Sequence, residues 1–292
     1  MAYFINLKTC NQCRLCTEVC PSHVIGVNEN KETYFIPDRL SICLKCGQCM
    51  AVCQTESITV DELEYGRDLI ELPGTLPGYE QFISLLSHRR SVRNYLKKPV
   101  PDETVQKMLE TVSYAPFGAS PEKMHITVVN NRPKIEKTLP VIETFLNNIV
   151  KWINNPVASM IIKRKTGRET FNTVKNHLFP IALSGNYKLE RGDRITRGAP
   201  LLMIFHADKG AEEHTSNAFI YATYVMLAAQ TLGLGAAMNG IVPAAINKVD
   251  SLKQTFRIPE SHEAVIAVIA GWPKYKYRRA IKRSNLQIRN LN

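Results

Sequence analysis

Apolar stretches separated by polar turns run through residues 79–271, and their spacing predicts helices alternating with strands. Apolar residues recur at helical spacing in three segments, residues 79–88, 102–112 and 133–152, and a strongly apolar segment over residues 216–232 predicts a fourth helix. Continuous apolar runs predict buried strands in three others: residues 126–129, 201–206 and 264–270. Because helices and strands are interleaved, we expect an α+β or α/β domain with a mixed sheet.

The first 60 residues follow a different pattern, which occurs twice. Residues 21–27 match residues 54–60, with Ile25 over Ile58, and each copy predicts a short strand. Two Pro-Gly pairs follow at residues 73–78, where neither a helix nor a central strand can continue. We therefore predict a small domain over residues 1–63, a linker over 64–78 and a second domain over 79–292.

All eight cysteines lie in the small domain, in two runs with the same spacing. This spacing is the one that ligates cubane iron-sulfur clusters, with the fourth cysteine of each run serving the other cluster. The first predicted cluster takes Cys10, Cys13, Cys16 and Cys53. The second takes Cys43, Cys46, Cys49 and Cys20. The segment resembles the bacterial two-cluster ferredoxins, with Gln54 standing where a second proline would be expected.

Zinc and disulfides are the competing interpretations of these cysteines. Structural zinc sites use paired Cys-x-x-Cys motifs with longer spacers, which three cysteines in seven residues fit poorly. Disulfides need an oxidising compartment and are typical of small secreted chains. We favour two 4Fe-4S clusters because the spacing occurs twice and uses every cysteine.

Composition and charge limit the cellular location and the partners that we expect. The chain is 45% apolar, enough for a core, yet no apolar run reaches the 18 or so residues of a membrane helix. The N-terminus lacks the pattern of a secretory signal, so we expect a reduced, cytoplasmic protein without membrane partners. The formal charge of +11 suits an acidic redox partner or a nucleic acid, of which the redox partner fits the clusters better.

A second group of chemically active residues follows the first predicted helix of the large domain. Arg89, Arg90, Ser91 and Arg93 place three guanidinium groups and a hydroxyl within five residues, which suits a phosphate. Taken alone, a basic helix end is more typical of a solvated surface.

Four further motifs follow in order, and with the arginine segment they resemble the FMN-dependent nitroreductase family over residues 79–285. They are Ala115-Pro-Phe-Gly-Ala-Ser120, Arg197-Gly-Ala-Pro200, Leu232-Gly-Leu-Gly-Ala-Ala-Met-Asn-Gly240 and Gly271-Trp-Pro273 with a basic tail. The resemblance implies an α+β fold with a mixed sheet flanked by helices, behind a small ferredoxin-like domain. It also implies a homodimer with FMN at the subunit interface.

The resemblance assigns FMN-binding roles to matched positions. The phosphate and the pyrimidine edge fall to Arg89, Ser91 and Arg93, with Arg90 among them. The turn near flavin N5 falls to Met238, Asn239 and Gly240, where a glycine lets the main chain approach a ring. The basic tail contributes Arg279, Lys282 and Arg283 on the phosphate; a disordered or nucleic-acid-binding tail is the alternative.

The sequence departs from the family after Ala115-Pro116. Where the family has an asparagine, then a glutamine two residues later, then Pro-Trp, this chain has Ser120, Glu122, Lys123 and Met124. Ser120 can still hydrogen-bond to a flavin, whereas Glu122 would bring a carboxylate near the ring. We expect His125, His206 and His262 to be structural, and Tyr221, Tyr224 and Met226 to lie in the core or a dimer interface.

Together the two halves predict an FMN oxidoreductase. Clusters carry single electrons and a flavin can hold one or two, so we expect the flavin to collect electrons from the clusters and deliver them in pairs. The expected acceptor is an electron-poor nitroaromatic, quinone or activated alkene. The expected donor is a soluble ferredoxin or flavodoxin, or NAD(P)H. The basic segment 154–190 is expected at the substrate mouth. Two alternatives stay open: an electron-transfer module without its own substrate, and a nucleic-acid-binding regulator.

Overall fold

The computed structural model describes residues 3–118, 121–173, 175–176, 188–282 and 287–291. The chain divides into two compact units, Met1–Pro77 and Gly78–Asn292. The first part of the predicted linker packs on the first unit, where the Tyr65 hydroxyl donates to the Met50 carbonyl at 3.2 Å. Leu63 and Leu69 pack against the same core, so the chain from residue 63 to 69 is part of that unit's structure.

The first unit is built from two short antiparallel ladders and small helices. Strand β1 (Phe4–Ile5) pairs with β4 (Ile58–Thr59), and β2 (Ile25–Val27) pairs with β3 (Thr33–Phe35). Helices α1 (Leu15–Val19) and α2 (Gln48–Ala51) lie within the two cysteine runs, and a 3-10 helix spans Pro37–Ile42. The two strands predicted after the cysteine runs are present, as β2 and β4. Their partners β1 and β3 are too short to show an alternating pattern in sequence.

Helices of the second unit are α3 (Tyr79–His88), α4 (Asp102–Glu110), α5 (Arg132–Asn154), α6 (Pro156–Thr166), α7 (Arg168–Thr173), α8 (His214–Thr231), α9 (Ile241–Ile246) and α10 (Asp250–Thr255). Its strands are β5 (Met124–Val129), β6 (Leu201–Asp208), β7 (Gly235–Asn239) and β8 (His262–Gly271). The helices and strands predicted from the apolar pattern are present, with ends that differ by a few residues. Strand β7 was not predicted, because its Gly-Ala-Ala-Met-Asn sequence has little β propensity.

Within the described residues the strands of the second unit form one antiparallel sheet in the order β5-β6-β8-β7. A single parallel bridge joins Ser91 to Ala236 at its β7 edge, which makes the sheet mixed. The predicted fold class, an α+β domain with a mixed sheet and flanking helices, is confirmed.

Strand β6 is buried on both faces. Leu202 and Ile204 pack in one cluster with α5 and α9, whereas Leu201, Met203 and Phe205 pack in another with α4 and α8. Helices cover both sides of the sheet, so successive residues of the strand are all apolar rather than alternating. This explains the continuous apolar run in the sequence.

The described helices include none that is both long and apolar enough to cross a membrane.

Three histidines meet at one end of the sheet. His125, His206 and His262 come from β5, β6 and β8, and their ring centroids lie 4.9–5.6 Å apart. The Nδ1 atoms of His206 and His262 are 2.9 Å apart, and Thr127 Oγ1 lies 3.1 Å from His206 Nε2. Burial, reinforced by the two neighbouring imidazoles, lowers the pKa of His206 to about 4. His206 is therefore neutral at pH 7.

This cluster predicts that the second unit loses stability in mild acid. An unfolded histidine takes up its proton near pH 6.5 and folded His206 near pH 4, so between these values the unfolded state binds more protons. The free energy of unfolding should fall by up to about 3 kcal/mol over this range as the pH drops. Urea unfolding followed by fluorescence of Trp152 and Trp272, both in this unit, measures it.

The variant His206→Gln should flatten this pH dependence, because it removes the group that titrates. His88→Gln, at an exposed position on α3, is the matched control and should keep the parent's dependence. Equal acid sensitivity in all three proteins would contradict the prediction.

Candidate functional site

Two cavities in the first unit are lined by cysteines. The cavity that we call cavity I is lined by Cys10, Cys13, Cys16 and Cys53, together with Ile5 and Ile58. Cavity II is lined by Cys20, Cys43, Cys46 and Cys49, together with Val24 and Val60. Their empty space, open solvent included, measures about 300 and 330 Å³. The structure thus brings together the two sets of four that the spacing predicts, with the fourth cysteine of each run in the other cavity.

The backbone around the two cavities repeats the same turns. Left-handed φ angles occur at Gln12, Arg14 and His23 in the first copy and at Lys45, Gly47 and Glu56 in the second. Each pair is 33 residues apart, as Cys20 and Cys53 are. Such left-handed residues turn the chain sharply and aim successive N–H groups inward, a geometry that suits an anionic centre.

Hydrogen bonds reach the fourth cysteine of each run. The Val24 N–H donates to Cys20 Sγ at 3.3 Å, and the Ser57 N–H donates to Cys53 Sγ at 3.4 Å. Burial acts to raise the pKa of Cys53, but hydrogen bonds from Ser57, Thr55 and Glu56 bring that pKa below its ordinary value.

Other thiols in the cavities are harder to ionise. Burial raises the pKa of Cys49 to about 12, and burial also raises the pKa of Cys16. These thiols ligate only as thiolates, so binding an iron centre would release protons and favour the folded state.

The cavities differ from a site for one ion. Among the residues that the structure describes, no group of three or more His, Cys, Asp or Glu side chains is arranged to hold a single metal ion. Each set of four cysteines surrounds a space instead, which fits a cluster that four thiolates hold from the outside.

In the second unit, backbone bonds anchor the arginine segment to the sheet. The Val92 N–H donates to the Ala236 carbonyl at 3.1 Å, and the Leu96 N–H donates to the Trp272 carbonyl at 2.9 Å. The Tyr95 hydroxyl donates to the carbonyls of Val92 and Ile269, at 2.6 and 3.2 Å. Residues far apart in sequence therefore meet beside β7.

The cations of this segment have no acidic partner in the described part of the chain. Arg89 and Arg90 are half-buried and Arg93 is exposed, and no ion pair joins any of them to a carboxylate. The Arg90 guanidinium lies 5.7 Å from the Tyr277 ring centroid, which brings the start of the tail beside the segment. Unpaired guanidinium groups attract anions such as phosphate. Arg279 and Lys282 lie further along the tail and are exposed.

The turn after β7 leaves open space at a glycine. Both polar atoms of the Asn239 side chain are used in this turn: the amide nitrogen donates to the Ile195 carbonyl, and the oxygen accepts from the N–H groups of Ile241 and Val242. Gly240 has φ −90°, which any residue adopts, and a Cβ there would meet no protein atom within 4 Å. Neither backbone strain nor protein packing requires this glycine.

Four other predicted positions differ in whether the structure describes them and in how exposed they are. Ser120 and Arg283 lie outside the described residues, and Met238 is half-buried on β7. Glu122 is exposed and close enough to act on Tyr221 of α8: burial raises the pKa of that tyrosine, and the Glu122 carboxylate raises it further.

Sequence reasoning missed Asp193, which orders the chain ahead of the Arg197-Gly-Ala-Pro200 motif. Its carboxylate accepts the N–H groups of Ile195, Thr196 and Gly198 and pairs with Arg132 at 3.0 Å. Burial acts to raise the pKa of Asp193, but hydrogen bonds from the Thr196 hydroxyl and from the N–H groups of Gly198 and Thr196, together with Arg132, bring that pKa below its ordinary value. An aspartate three residues before a Thr-Arg-Gly turn is the signal that could have found it.

The fold and these sites define an α+β cofactor-binding protein with a cysteine-rich unit of the cluster-binding type. Residues 86–272 match the model of the nitroreductase family, and residues 2–56 match that of the 4Fe-4S dicluster domain. The first match spans more than half of the chain, and the chain belongs to the nitroreductase family. The expected enzyme class, a nitroreductase-like oxidoreductase, is confirmed with it.

Individual relatives agree with this assignment. A protein from Methanothermobacter thermautotrophicus, named as an NADH dehydrogenase/NAD(P)H nitroreductase, is 23% identical over 195 residues, which cover 65% of this chain and 76% of that protein.

Two solved structures share the fold, both of nitroreductases with bound FMN. The one from Bacteroides fragilis has a TM-score of 0.52 at 20% identity and covers 72% of this chain and 99% of that one. The one from Desulfitobacterium hafniense has a TM-score of 0.52 at 17% identity and covers 72% and 97%. The two sequence-predicted cofactors, FMN and 4Fe-4S clusters, agree with these findings.

Two glycines of this site should differ in what an alanine costs. A Cβ on Gly235 would lie 2.5 Å from Val92 Cγ2, so Gly235→Ala should lower the free energy of unfolding by about 1–3 kcal/mol. Gly240→Ala should change it by less than about 0.5 kcal/mol, since its Cβ enters open space. Urea unfolding of both variants measures the difference, and a destabilised Gly240→Ala variant would show that this glycine serves the fold.

Proposed function

We propose that this protein is an FMN oxidoreductase that takes up single electrons through two 4Fe-4S clusters and reduces an electron-poor organic acceptor. The observation that carries the proposal is the pair of four-cysteine cavities in a chain of the nitroreductase family. Clusters carry one electron at a time, and FMN, when bound, collects electrons singly and delivers them in pairs.

The two cysteine sets are the proposed cluster ligands. In each cavity, three thiolates from one run and one from the other run would surround a cluster. N–H groups such as those of Val24 and Ser57 point at the sulfurs and offset their negative charge. The apolar residues Ile5, Ile58 and Val60 line the cavities and limit access of water.

The residues around β7 fit FMN. Ala236 of β7 is bridged to Ser91, and the strand continues to Asn239, just before Gly240. At the rise of an extended strand, about 13 Å separates the arginine segment from the open turn. That span suits a molecule with a phosphate at one end and a ring system at the other. Arg89, Arg90, Ser91 and Arg93 would hold the phosphate, and the backbone at Met238, Asn239 and Gly240 would face the ring. Arg279, Lys282 and Arg283 of the tail would add positive charge, and Ser120 a hydrogen bond to the flavin.

The acceptor is proposed as a nitroaromatic, quinone or activated alkene. Glu122 and Tyr221 lie close together where the family pattern departs, so they are candidates to tune which acceptor fits. NAD(P)H appears in the name of the M. thermautotrophicus relative, and it stands beside reduced ferredoxin or flavodoxin as a candidate donor.

A homodimer is proposed because helix α3 has an apolar face that the described residues of its own unit leave uncovered. Tyr79, Phe82 and Ile83 are 73%, 50% and 38% exposed, and no residue of α3 is buried. Leu85 of this helix lines a groove together with Tyr224 and Leu227 of α8, with an empty space of about 590 Å³, open solvent included. An apolar surface of this kind is typical of a subunit interface.

Anaerobic purification followed by iron and FMN quantitation and a stepwise dithionite titration tests the function. We expect about eight irons and one FMN per chain, reduced in one connected titration, followed by turnover of at least one acceptor class. Iron without flavin would contradict the FMN site, and zinc in place of iron would contradict the electron path. Full reduction without turnover of any acceptor would instead favour an electron-transfer module.

Gly240→Ala should weaken FMN binding while the fold and the iron content stay at parent values. The new methyl group would occupy the space proposed for the ring, so we expect an increase in the FMN dissociation constant of about tenfold or more, equivalent to ~1.4 kcal/mol. Fluorescence titration of the flavin-stripped protein measures it. Gly210→Ala, at a loop glycine whose backbone is not left-handed, is the control; unchanged FMN affinity in Gly240→Ala would remove the proposed ring position.

A further inference from the structure

A chain of three hydroxyl groups leads to cavity I. Thr9 Oγ1 lies 2.8 Å from Ser57 Oγ, Ser57 Oγ lies 2.7 Å from Thr55 Oγ1, and Thr55 Oγ1 lies 3.6 Å from Cys53 Sγ, a distance that the larger radius of sulfur allows. Ser57, in the middle, is 2% exposed. Water therefore has little access to compete for its hydrogen bonds.

A thiolate at the end of this series of hydroxyl groups determines which group donates in each hydrogen bond. A cysteine that binds iron has lost its proton and can only accept, so the Thr55 hydroxyl must donate to Cys53 Sγ. Ser57 must then donate to Thr55, and Thr9 must donate to Ser57. Two of these hydroxyls could instead donate to backbone carbonyls, Thr9 to that of Asn6 and Ser57 to that of Thr55, each at 3.3 Å. The hydroxyl-to-hydroxyl contacts are shorter.

Aligned hydroxyl groups polarise one another, so the last donor is stronger than an isolated threonine. Adding an electron to a cluster increases the negative charge on its sulfurs, and a donor aimed at a sulfur stabilises that reduced form. Resting on the proposed cluster function, we propose that Thr9, Ser57 and Thr55 form a hydroxyl relay that raises the reduction potential of the cluster held in cavity I.

The internal repeat supplies a comparison within the same molecule. Cys20 corresponds to Cys53, Ser22 to Thr55 and Val24 to Ser57. The backbone N–H contacts are nearly equal, at 3.3 and 3.4 Å, but Val24 has no hydroxyl to continue a relay. Among the described residues, Ser22 makes no hydrogen bond to a cysteine sulfur. Of the two corresponding cysteines, Cys53 alone is therefore reached by a hydroxyl relay among the described residues.

Other polar groups near the sulfurs are not part of the relay. Thr33 Oγ1 lies 3.6 Å from Cys10 Sγ but also 3.4 Å from Gln12 Oε1, so its one proton has two acceptors. At cavity II, the Tyr3 hydroxyl contacts Cys43, and Lys45 lines the wall. Which of the two clusters has the higher reduction potential depends on all of these groups, whereas the relay changes the potential of the cluster in cavity I only.

Redox titration of the full-length, cluster-loaded protein, with both clusters followed by electron paramagnetic resonance, tests the relay. Thr55→Val keeps the shape of the side chain and removes the donor. We expect one cluster midpoint to become more negative, by about a three- to tenfold change in its reduction equilibrium, ~28–59 mV for one electron, while the other stays. Ser57→Ala should shift the same midpoint by less, because Thr55 keeps its hydroxyl.

Two control variants separate tuning from damage to the fold. Ser22→Ala removes the hydroxyl at the corresponding position of the first copy and should leave both midpoints unchanged. Thr55→Ser restores the hydroxyl and should return the midpoint to the parent value. If Thr55→Val fails to load iron, the comparison of Ser57→Ala with Thr55→Ser decides in its place, and equal midpoints in those two would overturn the relay.

The outcomes distinguish this inference from the function on which it rests. Parent protein without iron-sulfur clusters would overturn the proposed function. Full iron content with unmoved midpoints in Thr55→Val, or with both midpoints moved equally, would overturn the relay and leave the proposed function intact.

Discussion

The exchange of one cysteine between the two copies is the constraint on which the first unit depends. Cys20 belongs by sequence to the first run but lines cavity II, and Cys53 belongs to the second run but lines cavity I. Neither cavity is complete without both copies. The apolar core around Met50 is small, and a unit of this size buries too little surface to be very stable by packing alone. Ligation across the copies would therefore couple cofactor binding to folding.

The second unit is held by a sheet that is covered on both faces. With β6 buried between two helical layers, the groups proposed to bind FMN lie at the sheet edge that β7 forms and in the segments attached to it. Close contacts fix these segments: Val92 packs directly on Gly235, and Pro200 packs directly on Gly271. Since a side chain at either glycine would clash, these contacts set how near the arginine segment and the Ala-Pro motif come to the sheet.

The repeat in the first unit shows how two sites with one backbone geometry can differ chemically. Left-handed residues and N–H donors recur at matching positions, which preserves the shape of both cavities. The side chains after the fourth cysteine do not match, and only the second copy has hydroxyl groups in line with the sulfur. Substitutions around the cysteines can thus change the charge environment of one centre while the other keeps its own.

Much of this architecture follows from local sequence features. The grouping of the eight cysteines can be predicted because their spacing has few other uses. Helices such as α3, α4 and α5 can be predicted because apolar residues recur at the helical period, and α8 because its apolar run is too long for a strand. The strands β6 and β8 are visible because both faces are buried. Strands β1, β3 and β7 were not found, since two or three residues, or a run of glycine and alanine, become a strand only when a partner supplies the ladder.

The sequence by itself determined the division into a cysteine-rich unit and an α+β unit, the two cysteine sets and the arginine segment, because each rests on spacing or composition within a short stretch. Tertiary structure alone decided which distant groups meet. It placed Ser91 beside Ala236, Arg90 beside Tyr277 and Thr9 beside Ser57, and it left open space at Gly240. Such contacts depend on strand register and side-chain packing between residues 48 to 187 positions apart, for which a local pattern carries no signal.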